Sequence, residues 1–382
     1  MLKKKVIILS LLFLLIFVYI CHLAGFKNEI FLILKPKSVQ IYPNWLNNYS
    51  NFNVQNKILI LIYTEKFNWK IWHAYPFPDY STSCGCNFQG CQLTYDKNLF
   101  NQSQVVIFNA KDLPPHSLLE QLERKKTKQQ LFIYYTKENP INVQNFNTSK
   151  QFFNLFSTYR LDSDIRIPYR YHFSKQSFYN NVNLAKNKTK QIAWVVSNCG
   201  QLRDKLVSKL QEYGVNIYVA GACSQLYKHR FHCYKRNCNS ELKKFKFYFA
   251  AENHLCKDYI TEKYWYNALN AETIPIVLGG ANYFDSRLAI PNSFIDATKF
   301  ATVKDLANFI KNVDNDDKKF NDFFTWKKHW ELSNEKKGCS YYMCNLCQQL
   351  HAGINKKISE FAFTADDCKT KEDYFNKWVE FI

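Results

Sequence analysis

Acidic residues are scarce in this sequence: its 382 residues include 32 Asp or Glu against 51 Lys or Arg, a formal net charge of +19. Such an excess of positive charge predicts an anionic partner: nucleic acid, acidic lipid or a phosphorylated small molecule. No RNA- or DNA-binding signature accompanies the charge, so we expect no nucleic-acid partner. Most of the lysines are typical of a solvated surface. Hydrophobic residues make up 47% of the chain, enough for two sizeable cores, and the chain has no internal repeat.

Charged side chains are absent from residues 6–26, which hold one histidine in an otherwise largely apolar run. About 20 apolar residues can cross a bilayer. A cleaved signal peptide would have a shorter apolar core, roughly 7–15 residues, and a small-x-small cleavage site that this stretch lacks. Lysines at positions 3–5 favour a cytoplasmic N-terminus. The sequence therefore predicts a cytoplasmic tail (1–5), a transmembrane signal-anchor (6–26) and a luminal remainder.

The cysteine content agrees with a luminal location. Of 13 cysteines, Cys21 falls in the predicted anchor, which leaves twelve for disulfides in an oxidising compartment. Some have spacings that would also suit zinc: Cys339, Cys344, Cys347 and His351, and less well Cys84, Cys86 and Cys91. We expect disulfides at these positions instead. Four Asn-x-Ser/Thr sequons, at Asn48, Asn101, Asn147 and Asn187, predict N-glycosylation sites.

Strand and helix patterns alternate along the rest of the chain. Residues 27–55 predict a stem, and 81–91 predict a cysteine-rich loop. Strands are predicted at 57–63, 104–109, 130–136, 192–197, 215–219, 245–250 and 273–278, and helices at 117–124, 202–213, 260–271, 303–313 and 348–361. Such alternation favours an α/β fold with parallel sheets. We predict two doubly wound domains, 56–175 and 176–350, joined by an Asn/Lys-rich linker after 175, with a helical extension over 351–382.

Residues 245–280 predict a strand, a loop, a helix and a second strand. Thr261 is expected to cap this helix, which places Glu262 and Lys263 in its first turn. A helix N-terminus with a lysine beside it is a natural site for a diphosphate, and Glu262 could accept hydrogen bonds from ribose or sugar hydroxyls. From these residues alone, an ordinary strand–helix–strand crossover explains the segment equally well.

A family resemblance makes the interpretation more specific. The segment carries Phe249 to Asn253, Asp258 to Lys263, Asn267 to Leu269 and Ile274 to Gly279. This arrangement resembles the donor-site signature of the α1,3/4-fucosyltransferases, glycosyltransferase family 10. Other segments along the chain also resemble elements of this family, in the same order. They are Glu138-Asn139-Pro140, Thr158 to Ile165 with Pro168-Tyr169, Ser197 to Cys199 with Arg203, and Cys344 with Cys347. The resemblance covers roughly residues 57–350.

The resemblance implies a GT-B fold of two facing Rossmann-like domains, an N-terminal acceptor domain and a C-terminal GDP-fucose domain. It implies inverting transfer of L-fucose to GlcNAc in a glycoprotein glycan, with α1,3 linkage expected, by a single-pass type II Golgi membrane protein. Glu138 is the expected catalytic base. Arg203 and Lys263 are expected to bind the donor phosphates, and Asn253, Tyr259 and Glu262 the fucose, ribose or phosphate groups. An N-glycan core and an antennary lactosamine both remain open as acceptors.

Two residues depart from the family pattern: Asn139 replaces the usual Ser, and Arg170 replaces a Gly that supplies backbone freedom. The second change leaves open an alternative, a catalytically inactive luminal glycan-binding or scaffold protein with the same fold. The Asp-Ser-Asp run at 162–164 resembles a metal-binding motif but lies in the acceptor domain, where we expect a structural role. Arg and Lys can neutralise a leaving diphosphate, so we expect no required cofactor, although Mn²⁺ or Mg²⁺ could stimulate.

Overall fold

The computed structural model describes residues 57–64, 90–143, 146–175, 182–233, 238–333, 341–354 and 361–369. The predicted tail, anchor and stem, residues 81–89 of the predicted loop and Asn48 therefore lie outside the described residues, as do 176–181 of the linker. Within the described ranges, no helix is both long and apolar enough to cross a membrane.

The first sheet has five parallel strands in the spatial order β2-β1-β3-β4-β5. They are β1 (Ile58–Ile62), β2 (Cys91–Thr94), β3 (Val105–Asn109), β4 (Leu131–Tyr135) and β5 (Leu155–Ser157). The three predicted strands are confirmed as β1, β3 and β4. Continuous apolar runs form them because both faces of a parallel sheet are buried. The short strands β2 and β5 escaped prediction, and Cys91 begins β2 instead of ending a loop.

The second sheet also has five parallel strands, in the order β12-β11-β9-β7-β8. They are β7 (Lys190–Val195), β8 (Ile217–Ala220), β9 (Phe245–Ala251), β11 (Ile274–Leu278) and β12 (Ile295–Asp296). The chain passes from β7 to β8 on one side and then crosses to β9 on the other. The carboxyl ends of β7 and β9 therefore form a topological switch point, the place where open α/β sheets bind ligands.

The remaining elements connect and cover these sheets. The α-helices are α1 (His116–Lys125), α2 (Phe146–Ser149), α3 (Leu202–Glu212), α4 (Cys238–Leu242), α5 (Val303–Asp314), α6 (Asp317–Asp322) and α7 (Tyr341–Ala352). Two antiparallel pairs join distant parts of the chain, β6 (His172–Ser174) with β13 (Trp330–Leu332) and β10 (Leu255–Cys256) with β14 (Cys368–Lys369). Short 3-10 turns begin at residues 97, 110, 150, 185, 222, 269, 297, 325 and 365, and a π-helix spans Lys263–Ala268.

The C-terminal part of the chain returns to the first sheet. Helix α7 buries Leu346 and Cys347 in the same core as Ile60 and Ile133. The predicted boundary at 350 assigns most of α7 to the second domain, whereas the helix packs on the first sheet. Of the predicted helix at 348–361, residues 348–352 belong to α7 (Tyr341–Ala352), residues 353–354 follow its end, and residues 355–360 lie outside the described ranges. Apolar side chains drive this return, since the open face of a buried parallel sheet must be covered.

Disulfides take up the described cysteines, as expected. The pairs are Cys91–Cys347, Cys199–Cys223, Cys233–Cys238 and Cys256–Cys368, and Cys344 is also disulfide-bonded. His351, considered above beside Cys347 as a zinc ligand, instead donates through Nε2 to the backbone oxygen of Gly90 at 2.8 Å. The three described sequon asparagines, Asn101, Asn147 and Asn187, are exposed.

Candidate active site

Two of the motif segments meet where β7 and β9 end. The loop after β7 leads into α3, whose second residue is Arg203, as the sequence predicts. The Arg203 guanidinium donates to the backbone oxygens of Ala251, the last residue of β9, and Asn198, both at 3.1 Å. Arg203 is only 5% exposed, and its Nε makes no hydrogen bond. Burial lowers the pKa of this guanidinium, yet an arginine in a protein stays charged.

Lys263 is held by a carboxylate that follows β9 directly. Its Nζ lies 3.0 Å from Glu252 Oε2, 3.0 Å from Thr261 Oγ1 and 3.2 Å from Glu262 Oε1. Burial by itself lowers the pKa of Lys263, but the carboxylates of Glu252 and Glu262 outweigh it and raise the pKa above its usual value. Lys263 therefore carries a full positive charge beside the strand end that Arg203 also contacts.

The predicted helix at 260–271 takes an unusual form. A π-helix (Lys263–Ala268) runs into a 3-10 turn (Leu269–Ala271), and the residue at the N-cap position is Glu262. The Thr261 hydroxyl oxygen accepts the Lys263 N–H at 3.5 Å, so Thr261 does contact the start of the helix as predicted, although the N-cap position itself falls on Glu262. The backbone N–H and hydroxyl of Thr261 also donate to Glu252 at 2.9 Å, a contact that the sequence did not predict. Glu262 remains 48% exposed, so its second oxygen is accessible to a ligand.

Tyr259 connects this cluster with the carboxyl end of β4. Burial raises its pKa well above 10, and the carboxylates of Glu252 and Glu138 raise it further. Its hydroxyl lies 3.5 Å from that of Tyr169, whose ring centroid is 5.8 Å from the Nζ of Lys137, the residue before Glu138. Glu138 comes three residues after β4, where its backbone N–H is bound by the Thr136 hydroxyl at 3.0 Å. The structure therefore brings the predicted base into the same neighbourhood as the predicted donor residues.

The loop that carries Asn253 and Tyr259 is fixed against the first half of the chain. The Leu161 N–H donates to Asp258 Oδ2 at 3.1 Å, and the Tyr159 ring packs 4.9 Å from that of Tyr259. Asp258 has φ 60°, a left-handed conformation that this contact offsets. Gly280 packs against the other side of the loop, where only a residue without a side chain fits, because a Cβ there would lie 2.1 Å from the Leu255 oxygen. Asn253 is half-buried and binds the His254 N–H through Oδ1 at 3.1 Å.

The Asp-Ser-Asp run at 162–164 has the structural role that the sequence predicts. Asp162 pairs with Arg160 and Lys257, and Asp164 accepts the Phe156 N–H at 2.8 Å. These contacts fold the turn that supports Tyr159. Their acceptor oxygens are used within the fold, beside β5.

Arg170 replaces the family glycine without strain. The non-glycine residues with positive φ in the described ranges are Asp258, Glu272 and Asn292, so position 170 does not need glycine. The Arg170 guanidinium donates to the Ser333 oxygen at 2.9 Å and lies 5.1 Å from the Tyr266 ring centroid. It ties the end of the first half to the π-helix.

The described site contains two positive groups, Arg203 and Lys263, and two carboxylates at close range, Glu252 and Glu262. Such a site can hold a diphosphate if the carboxylates are shielded or turned to other ligand groups. Sequence reasoning missed the role of Glu252, although an acid directly after a buried strand was a visible signal. It also missed Tyr169, whose hydroxyl lies beside that of Tyr259.

Comparison with known proteins gives a consistent picture. A family model described as "Glycosyltransferase family 10 (fucosyltransferase) C-term" matches residues 185–362, and one described as "Fucosyltransferase, N-terminal" matches residues 55–170. A crystal structure titled as an alpha1,3-fucosyltransferase aligns over 82% of this chain and 93% of its own, with 16% identity and a TM-score of 0.48.

Curated relatives cover most of the chain. Glycoprotein 3-alpha-L-fucosyltransferase A of Drosophila melanogaster is 32% identical over 317 residues, 80% of this chain and 59% of that protein. Alpha-(1,3)-fucosyltransferase C of the same organism is 31% identical over 332 residues, 78% of this chain and 74% of its own length. The rat 4-galactosyl-N-acetylglucosaminide 3-alpha-L-fucosyltransferase 9 is 32% identical over 256 residues, 66% and 68% of the two chains. With both halves matched by the family's models, the chain belongs to glycosyltransferase family 10, the fucosyltransferases.

Proposed function

We propose that this protein transfers L-fucose from GDP-fucose to a hydroxyl of GlcNAc in a glycoprotein glycan, in α1,3 linkage and with inversion at the fucose carbon. The observation that carries the proposal is the cationic strand end, where Lys263 pairs with Glu252 and Arg203 binds the Ala251 oxygen. The contact between the Tyr259 and Tyr169 hydroxyls, and that of the Tyr169 ring with Lys137, connect this strand end with the segment that carries Glu138. A base for the acceptor proton and cations for the leaving diphosphate are what a single displacement at a sugar carbon needs. The names of the relatives support the donor sugar, the linkage and the acceptor.

In this mechanism Glu138 accepts the proton of the acceptor hydroxyl. The oxygen of that hydroxyl attacks the fucose carbon from the face opposite the nucleotide. The bond from that carbon to the diphosphate breaks, and its electron pair leaves with GDP. Lys263 and Arg203 stabilise the negative charge that develops on the diphosphate oxygens. Glu262 and Asn253 bind hydroxyl groups of the donor, and the buried Tyr259 supports the loop that carries Asn253.

We further propose the GT-B arrangement, with the first sheet on the acceptor side and the second on the donor side. Residues 6–26 would anchor the protein in the Golgi membrane as a type II protein, which the lysines before the apolar run favour. Disulfides and exposed sequons are compatible with a luminal catalytic part. Because Arg203 and Lys263 are both positively charged, no metal is required in this mechanism for leaving-group neutralisation.

The test is transfer of radiolabelled fucose from GDP-fucose by the full chain in detergent, using a GlcNAc-terminated N-glycopeptide and N-acetyllactosamine as separate acceptors. Label in either product, with linkage read by methylation analysis, supports the proposal and selects the acceptor class. Tight GDP-fucose binding without transfer to any acceptor would instead support an inactive glycan-binding protein.

A further inference from the structure

We infer that Glu252 is a positioning residue, which holds the Lys263 ammonium at the carboxyl end of β9 where the donor diphosphate would bind. The inference rests on the proposed function and adds a residue to its site. Glu252 would touch neither substrate: it would act only through Lys263.

The Glu252 carboxylate is saturated by one short stretch of chain. Oε1 accepts the Thr261 N–H at 2.9 Å, both oxygens lie 2.9 Å from Thr261 Oγ1, and Oε2 accepts Lys263 Nζ at 3.0 Å. Thr261 Oγ1 is in turn 3.0 Å from Lys263 Nζ. The carboxylate, hydroxyl and ammonium therefore form a closed triangle, which fixes the direction of a lysine side chain that is otherwise flexible.

The anchor of this triangle is the second sheet itself. The Glu252 N–H donates to the Leu278 oxygen at 2.9 Å, which extends the pairing of β9 with β11 by one residue. The preceding residue, Ala251, accepts the Arg203 guanidinium through its backbone oxygen. Two consecutive residues of one strand end thus locate both cations of the site.

Exposure is unequal within the ion pair. The Glu252 side chain is 0% exposed, whereas that of Lys263 is 15% exposed. A diphosphate can therefore reach the ammonium while the carboxylate, which would repel it, stays covered. Burying an ion pair commonly adds little net stability because of desolvation, so stability alone is a weak reason for this arrangement. Positioning a charge for a ligand is a better one.

The pair also determines how Lys263 titrates. Burial of an ammonium lowers its pKa, and the adjacent carboxylates oppose that effect. With Glu252 neutralised, Glu262 remains as a single, half-exposed counter-charge. The Lys263 pKa should then fall, and the diphosphate-binding charge should be lost at a lower pH.

The experiment compares full-length wild type with Glu252→Gln, which keeps the shape and removes the charge. GDP affinity is measured by calorimetry from pH 6 to pH 10, and acetylation of Lys263 is followed by mass spectrometry over the same range. We expect at least tenfold weaker GDP binding at pH 8, a weakening that grows with pH, and half-maximal Lys263 labelling at a lower pH. Where transfer is measurable, KM for GDP-fucose should rise more than kcat falls.

The matched control is Glu272→Gln. Glu272 is also paired with a lysine, Lys327, but it lies two residues before β11, at the amino end of that strand and away from the strand ends that form the site. The Glu272→Gln substitution should leave the pH dependence of GDP binding and of Lys263 labelling unchanged. Glu252→Asp keeps the charge with a side chain one carbon shorter, and we expect GDP affinity between those of wild type and Glu252→Gln.

The outcomes distinguish the positioning role of Glu252 from the proposed function of the protein. Wild-type GDP affinity and an unmoved Lys263 profile in folded Glu252→Gln overturn the positioning role and leave the proposed function intact. If Glu252→Gln does not fold, Glu252→Asp decides: unchanged GDP affinity and labelling overturn the role. A wild type that neither binds GDP nor transfers fucose overturns the proposed function, and the positioning role with it.

Discussion

The hydroxyl oxygens of Tyr169 and Tyr259 lie 3.5 Å apart. Tyr169 belongs to the motif that ends the first half of the chain, and Tyr259 to the loop that follows β9. Burial and the hydroxyl of Tyr259 raise the pKa of Tyr169 well above 10, and Glu138 raises it further. Both tyrosines therefore stay neutral at physiological pH and form a polar contact between two motif segments that are 90 residues apart in sequence.

Replacing Glu138 by Gln should abolish transfer while leaving donor binding intact. General-base catalysis contributes roughly 10²- to 10⁴-fold, and glutamine cannot accept the acceptor proton. We expect kcat to fall by at least 10²-fold and GDP affinity to stay within a factor of two or so, as measured by radiolabel transfer and calorimetry. A Glu138→Gln enzyme with near wild-type kcat would assign the base to another residue. Glu120→Gln, on the exposed side of α1, is the control.

Arg203→Lys should weaken both the donor site and the fold. Arg203 reaches the oxygens of Ala251 and Asn198 with two separate nitrogens of its guanidinium, a fork that a lysine ammonium does not reproduce. One lost hydrogen bond to a buried carbonyl costs about 1–3 kcal/mol. We expect a lower free energy of unfolding in urea and weaker GDP binding. Lys205→Gln, an exposed change on the same helix, should alter neither quantity. Unchanged GDP affinity in a folded Arg203→Lys protein would remove Arg203 from the donor site.

The Cys256–Cys368 disulfide should contribute more to the free energy of unfolding than the Cys233–Cys238 disulfide does. The first closes a separation of 112 residues and the second one of 5. In the chain-entropy treatment, loops of these sizes correspond to about 5 and about 2 kcal/mol. The Cys256→Ser/Cys368→Ser double variant should therefore unfold at a clearly lower urea concentration than Cys233→Ser/Cys238→Ser.

The same variant should also lose GDP affinity, because β10 lies within the donor loop between Asn253 and Tyr259. Calorimetry on both double variants at a temperature where each is folded separates this local effect from global stability. Equal GDP affinity in the two would show that the C-terminal connection does not order the donor loop.

His172 should make stability depend on pH. Its Nε2 donates to the Ser286 oxygen at 2.7 Å, and its ring lies 5.1 Å from that of Trp265. Burial lowers its pKa from 6.5 to about 4. Between pH 6.5 and pH 4, His172 binds a proton in the unfolded chain but not in the folded chain. The stabilisation that the folded state gains from burying a neutral His172 is therefore present above pH 6.5 and is lost as pH falls towards 4.

The corresponding measurement is urea unfolding of wild type and His172→Phe at several pH values between 7.5 and 4.5. Wild type should lose up to about 1.4 kcal/mol per pH unit more than the variant over this window. His116→Gln, on the surface of α1, should parallel wild type. Parallel curves for His172→Phe and wild type would contradict a buried, neutral His172.

Metal removal should leave transfer largely intact, because the positive charges of Arg203 and Lys263 stabilise the leaving diphosphate. We expect at least a third or so of the fucose transfer rate to remain in excess EDTA, with Mn²⁺ restoring any difference. Complete loss in EDTA, reversed by one divalent ion, would show that Arg203 and Lys263 do not suffice. Lys263→Met measured in parallel should lose transfer with and without metal.

The sequence by itself determined the repeating local units. Apolar runs such as those of β1, β4 and β9 form buried strands wherever a parallel sheet is built, and their order along the chain fixes an α/β fold. The spacing from Glu252 to Lys263 placed the donor residues on one loop and helix start. Local chemistry was sufficient for these predictions because each depends on neighbours within about ten residues.

Only the tertiary structure decided which distant segments meet. Nothing near Leu346 in sequence indicates that α7 returns to the first sheet, and nothing near Cys256 identifies Cys368 as its partner. The Thr261 hydroxyl likewise donates to the buried Glu252 carboxylate, because the fold brings the end of β9 against this residue nine positions later in the chain. Such choices depend on which surfaces the whole fold leaves to be covered and on which buried charges it leaves to be paired, and local sequence does not encode either.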